Sequence, residues 1–144
     1  WDSMDAASVG YTELLSKPEV QAEFAKPEQQ HLGRVVGRVN TESGDCSGAY
    51  VGVSVLNAAL SADEIDAIID PFNSVLSDSG CNGGRSIAWT AAGPNTGTQA
   101  TLIYTDSLDS YAKFLSGFLA NDALVGMLAN SGRQIVSRTL AYNY

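Results

Sequence analysis

The sequence predicts an α+β fold in which β-α-β units share an antiparallel sheet, and three observations carry that expectation. The first is a repeat between the two ends of the chain: Asp2-Ser3-Met4-Asp5 matches Asp106-Ser107-Leu108-Asp109. At the same spacing Leu15 falls on Leu119, Val20 on Leu124 and Phe24 on Leu128; after a short gap, Val35-Val36-Gly37-Arg38 falls on Ile135-Val136-Ser137-Arg138. Each copy reads as a helix followed by a strand. The second is a capping box, Ser61 with Glu64, that opens a run of Ile65, Ile68, Ile69, Phe72, Val75 and Leu76 at helical spacing. The third is the cluster Gly93-Pro94-Asn95-Thr96-Gly97 between two β-rich runs, which reads as a hairpin turn and sets two strands side by side.

Taken in order, Asp2 or Ser3 can cap a helix that reaches about Phe24 and breaks or kinks at Pro18. Leu32 to Val39 follows as a strand, and Asn40 to Gly48 reads as a turn-rich loop. Ala49 to Leu56 is β-branched and predicts a strand. The capped helix comes next, with Pro71 expected to kink or divide it. Arg85 to Ala92 and Gln99 to Thr105 are the two hairpin strands. A helix from Ser107 presents Leu108, Tyr111, Leu115, Phe118 and Leu119; Asn121-Asp122 can end it and cap a shorter one, which Gly132 closes. Gln134 to Tyr142 is the last strand.

The strand Gln99 to Tyr104 precedes the second copy of the repeat, whereas the first copy begins at Trp1, where that strand would just have ended. The chain is therefore expected to be processed from a longer precursor. Its 144 residues are enough to bury a core, and with 44% hydrophobic and 17% charged residues the composition is globular. No apolar run approaches the roughly 20 residues of a membrane helix. A net charge of -8 repels phosphate backbones and anionic headgroups, so neither nucleic acid nor membrane insertion is expected.

Cys46 and Cys81 each lie in a Gly/Ser/Asn-rich loop just before a predicted strand, and those strands are the first and second of one β-α-β unit. Parallel strands start at the same end of a sheet. A Cys46–Cys81 disulfide is therefore expected, and with it an oxidising compartment, secreted or periplasmic. The other reading is two thiols in a cytoplasmic protein.

The element order, the repeat and the Gly93 to Gly97 loop resemble the dimeric α/β-barrel superfamily, in which ferredoxin-like domains pair sheet to sheet, sometimes as tandem copies in one chain. The resemblance implies that residues 49–144 form a complete ferredoxin-like domain and residues 1–40 the tail of an incomplete preceding copy. A half-domain leaves a sheet edge to be covered, so another fragment, a second copy or a further segment is expected to complete it. Haem-binding members of the superfamily use a proximal histidine; nothing identifies His31, the sole histidine, with that position, and no cofactor is expected.

Other candidate chemistry is sparse. Asp63, Glu64 and Asp66 are explained by capping and the helix dipole, as are Asp2, Asp5, Asp106 and Asp109 at the helix starts of the two repeats, so no metal site is expected. The loop Gly93 to Gly97 lacks the Lys-Ser/Thr pair of a phosphate loop, and no Gly-x-Ser-x-Gly elbow occurs. Five of the eight basic residues, Arg34, Arg38, Arg85, Arg133 and Arg138, fall in or beside strands. Arg38 and Arg138, equivalent in the repeat, are expected in ion pairs or at an interface; an anionic ligand is the alternative. Tyr50, Trp89 and Tyr104 lie on strands and could line a pocket for a small apolar ligand.

Two functions follow. The leading one is a noncatalytic assembly module, exported and completed by its own kind or by another chain. The alternative is a small-molecule-binding protein or a cofactor-independent monooxygenase of the dimeric α/β-barrel type, with Tyr50, Trp89 and Tyr104 around its pocket.

Overall fold

The computed structural model describes residues 4–26, 36–92 and 96–142, in two compact units that divide between Arg34 and Val35. The first unit holds α1 (Met4–Ser16) and α2 (Pro18–Phe24). Lys17 between them is extended, as the residue before a proline prefers, and Pro18 starts α2 where its missing N–H costs nothing. The predicted break at Pro18 is thus present.

The second unit comprises β1 (Val36–Gly44), β2 (Tyr50–Leu56), α3 (Ala62–Ser79), β3 (Gly83–Ala92), β4 (Gln99–Thr105), α4 (Leu108–Ala120), α5 (Asp122–Ser131) and β5 (Ile135–Tyr142). Its strands form one sheet, β1-β3-β4-β2-β5, with every neighbouring pair antiparallel. The four strands β3-β4-β2-β5 with their helices are two interleaved β-α-β units, the ferredoxin-like arrangement, and β1 adds a fifth strand beside β3. The repeat persists in element lengths: α1 and α4 each span 13 residues, each is followed by a shorter helix, and β1 and β5 are the two edge strands.

The helices end where local chemistry ends them. Ser61 Oγ accepts from Glu64 N at 3.3 Å while the Glu64 carboxylate accepts from Ser61 N at 2.8 Å, so the capping box forms. Gly80 and Gly132 close α3 and α5 in the left-handed conformation. Asn121 both ends α4 and caps α5, its Oδ1 accepting from Ala123 N and Leu124 N. Pro71 does not divide α3, whose apolar side is held by packing: Val75 and Leu76 join Ile103, Tyr111, Phe114 and Leu124 in the core, with Ile68 and Phe72 against them. No single helix among the described residues is long and apolar enough to cross a membrane; the α4–α5 pair passes by length and composition but is bent by 66° and contributes buried Tyr111, Phe114 and Leu124 to this core.

Two expectations are corrected. Asn40 to Gly44, read as loop, belong to β1, because the edge of β3 offers this stretch a ladder: Glu42 pairs with Arg85 and Gly44 with Gly83, and a 2.7 Å ion pair joins Glu42 to Arg85. Leu32 to Val35, the start predicted for this strand, lie outside the described residues. The Cys46–Cys81 disulfide is absent, and both cysteines are free. Cys46 follows β1, which pairs with β3, so it lies beside the start of β3 near Arg85 and Tyr104, whereas Cys81 belongs to the helix side, and the two thiols look into different surroundings. Cys46 Sγ instead donates to the Gly84 carbonyl at 3.5 Å, while Cys81 packs against the apolar cluster under the helices. Burial, then Glu42, raises the Cys46 pKa, which keeps it a thiol. The inference of an oxidising compartment loses its footing.

Candidate functional site

Ile103 lies in the core beneath α3 and α4, so the alternating residues of β4 assign the faces: Gln99, Thr101, Ile103 and Thr105 point to the helices, Ala100, Leu102 and Tyr104 away from them. Register then carries this assignment across the sheet. Thr101 pairs with Ser86 on one side and with Ser54 on the other; Ser86 pairs with Thr41, and Ser54 with Arg138. The result is a single polar row, Thr41-Ser86-Thr101-Ser54-Arg138, one residue from each strand, across the face that the helices cover.

A cavity of about 90 Å³ lies over this row. Its roof is apolar, formed by Ile68, Ile69 and Phe72 of α3, Leu115 and Phe118 of α4 and Met127 of α5. Phe72 meets Phe114 edge-on at 5.6 Å, and Phe114 meets Phe118 at 6.2 Å, which stiffens one wall. A clamp fixes the opposite end: the Arg133 guanidinium holds Glu64 at both carboxylate oxygens and donates to the Ala59 carbonyl from Nε and Nη2. Beside it Gln99, almost fully buried, accepts from Leu60 N at 3.0 Å. The Ser61 amide, then Arg133, lowers the Glu64 pKa.

Hydrogen bonding along the floor is incomplete. Arg138 Nε donates to Ser54 Oγ at 3.2 Å. Burial raises the Tyr111 pKa, while Arg138 and Ser54 both act to lower it. Tyr111 can lie this close to β2 only because residue 52 is glycine: a Cβ there would stand 2.1 Å from the Tyr111 ring. Ser86 Oγ and, across from the sheet on α3, Asn73 Oδ1 are buried without a hydrogen-bond partner, and both residues line the cavity. A buried polar atom left unpaired costs on the order of 1–3 kcal/mol, so two at one cavity mark a place built to meet something polar.

The residues singled out from the sequence do not converge here. Trp89 and Tyr104 share the face away from the helices, whereas Tyr50 points to the helix side, where its ring meets Tyr142 at 5.2 Å. The three therefore do not surround one pocket. Burial raises the Tyr104 pKa against the opposing effect of Arg85. Arg38 and Arg138 stand on opposite edge strands, four strand spacings or about 19 Å apart. Neither forms a salt bridge with a carboxylate among the described residues, while Arg85 pairs with Glu42 and Arg133 with Glu64. Asp106, expected at a helix start, braces loops instead: it accepts from Ala49 N and Asn82 Nδ2, each at 2.9 Å, and Ser107 caps α4. His31, Arg34 and the Gly93 to Asn95 part of the hairpin loop lie outside the described residues. Among the described residues no three His, Cys, Asp or Glu side chains are placed to hold a metal.

Sequence reading missed Thr41, Ser54, Ser86 and Thr101. Their signal was visible as polar residues alternating with Val, Ile and Leu, as in Val53-Ser54-Val55, but such alternation ordinarily marks a solvent-facing side.

No family model matches the chain, and no curated protein does. Among solved structures it is similar to that of a "putative monooxygenase" from Fusobacterium nucleatum subsp. nucleatum, with a TM-score of 0.52 and 8% sequence identity. The match covers 94% of this chain and 63% of that one, so the chain spans less than two thirds of its neighbour's length. At that identity the likeness is one of fold: an α+β chain with a five-stranded antiparallel sheet and helices, consistent with the ferredoxin-like, dimeric α/β-barrel type.

Proposed function

We propose that this protein binds a small molecule between its sheet and helices, as a ligand-binding or oxygenase-like member of the dimeric α/β-barrel type. The observation that carries the reading is the polar row beneath an apolar roof, with Ser86 Oγ and Asn73 Oδ1 unpaired at the cavity. An apolar pocket with a few convergent polar groups is the usual form of a small-molecule site. The cavity lining contains no carboxylate, imidazole or thiol among the described residues, which favours binding and positioning over acid–base chemistry by the protein. The description of the Fusobacterium neighbour fits this reading, since cofactor-independent oxygenation draws its electrons from the substrate. A methyl-detected NMR titration with small aromatic and aliphatic compounds tests it: signals of Ile68, Leu115 and Met127 should shift together while those of Val51 and Val53 stay still. Shifts confined to Val51 and Val53, or none at all, would refute it.

A second reading rests on a different observation. The sheet face away from α3, α4 and α5 carries Val51, Val53, Val55, Ile87, Trp89 and Leu102, and none of these helices covers it. An apolar sheet face of this kind suits packing against a second sheet, which is how assembly with another copy of this chain or with another chain would occur. Sedimentation equilibrium of the purified chain distinguishes a monomer from such an assembly.

A further inference from the structure

Arg138 gives the cavity a charge that its surroundings do not neutralise. The chain has 16 acidic and 8 basic residues, and Arg85 and Arg133, on or beside the same sheet, are each matched to a glutamate. Arg138 lines the cavity, spends its Nε on the Ser54 hydroxyl and has no salt bridge among the described residues. Its terminal nitrogens offer the planar fork that fits a carboxylate. Three strands further along the row, about 14 Å between backbones, stands Ser86, whose buried hydroxyl lacks a partner, and Asn73 Oδ1 presents an acceptor from α3. Between the two ends the cavity wall is apolar, with Leu115 and Phe118 above. The site is therefore polar at both ends, cationic at one and acceptor-rich at the other.

We propose that the cavity takes a small monocarboxylate: its carboxylate on Arg138, its apolar body under Leu115 and Phe118, and a hydroxyl or amino group at the far end donating to Asn73 Oδ1 or Ser86 Oγ. This rests on the helix–sheet cavity being the binding site. The unpaired Asn73 oxygen at the far end calls for a donor, which a hydroxyl or amino group supplies and a second carboxylate does not. Arg138 is itself exposed and can be solvated, but a fully apolar ligand would leave the buried Asn73 Oδ1 and Ser86 Oγ unpaired and is disfavoured for that reason.

The test uses three probes of similar shape, 4-hydroxybenzoate, 4-methylbenzoate and 4-hydroxybenzyl alcohol, titrated by NMR and calorimetry into the wild-type chain, Arg138→Gln, Arg138→Lys and Ser86→Ala. The expected order in the wild type is 4-hydroxybenzoate tightest. Arg138→Gln should weaken both acids about tenfold or more and leave the alcohol within about twofold; Arg138→Lys, which keeps the charge but loses the fork, should fall between. Ser86→Ala should weaken the two hydroxyl probes by a few fold and leave 4-methylbenzoate unchanged. If the alcohol binds the cavity as tightly as the acids, or Arg138→Gln weakens all three alike, the carboxylate assignment is wrong while the cavity remains a binding site. If none of the three moves the Ile68, Leu115 and Met127 signals, both the assignment and the small-molecule reading fail.

Discussion

The two faces of the sheet invert the usual distribution of polarity. On the helix side, where an α+β protein ordinarily buries Val, Ile and Leu, the middle of the sheet presents Ser86, Thr101 and Ser54, and the row runs out to Thr41 and the exposed Arg138 on the edge strands. On the reverse face the same strands present Val51, Val53, Val55, Leu102 and Ile87, with the Glu42–Arg85 ion pair toward the β1 edge. Burying hydroxyls costs free energy unless they gain partners, and an apolar sheet face gains by being covered. Under the proposed function, the contrast would set a ligand site on one face and a packing surface on the other.

The largest expected effect lies in the wall that holds the cavity open. Phe114→Ala should lower the unfolding free energy in urea by about 3–5 kcal/mol, because the ring is buried between Phe72 and Phe118. Next comes Gly52→Ala, whose new methyl group would overlap the Tyr111 ring and should cost about 1–3 kcal/mol; loosening of the Tyr111–Ser54 contact should appear as weaker ligand binding in the same variant. A cost under about 0.5 kcal/mol would mean that Tyr111 is free to move.

Leu102→Lys addresses the other face. It should shift the sedimentation profile toward monomer and leave the methyl signals of the cavity in place; a change in the cavity signals would show that the faces are coupled. Glu64→Gln should act only above the carboxylate range. The folded pKa of Glu64 lies below its unfolded value, so its contribution is full above the unfolded pKa and is lost as pH falls through the folded one. The variant should therefore unfold more easily than wild type at neutral pH and match it in strong acid, as read from urea midpoints across the pH range. The smallest effect on stability is expected for Ser86→Ala, within about 1 kcal/mol of wild type, since its hydroxyl has no partner to lose. A drop well beyond that would assign Ser86 to the structure and weaken the case for a ligand.

Much of this architecture was legible in the chain. The capping box, the Pro18 break, the Asn121 recap and the Gly132 stop are local signals, set by backbone groups that must be satisfied within a few residues, and each appears where it was read. The end-to-end repeat anticipated that a helical segment followed by a strand would recur, and α1 and α4 both span 13 residues. The polar tail of β1 was not legible, because Asn40 to Gly44 become a strand only when the edge of β3 supplies hydrogen bonds. The disulfide expectation failed for a related reason: the β1–β3 pairing turns Cys46 to the Gly84 carbonyl, while Cys81 packs under the helices.

The candidate site shows the same division most clearly. Alternation along Val51-Gly52-Val53-Ser54-Val55 determined by itself that one side of that strand is apolar and the other is not, since side chains project with a period of two. Only the tertiary structure decided that the helices lie over the polar side, and that register aligns five separate residues into one row ending at Arg138. Those choices depend on contacts between segments far apart in the chain, which no local pattern encodes.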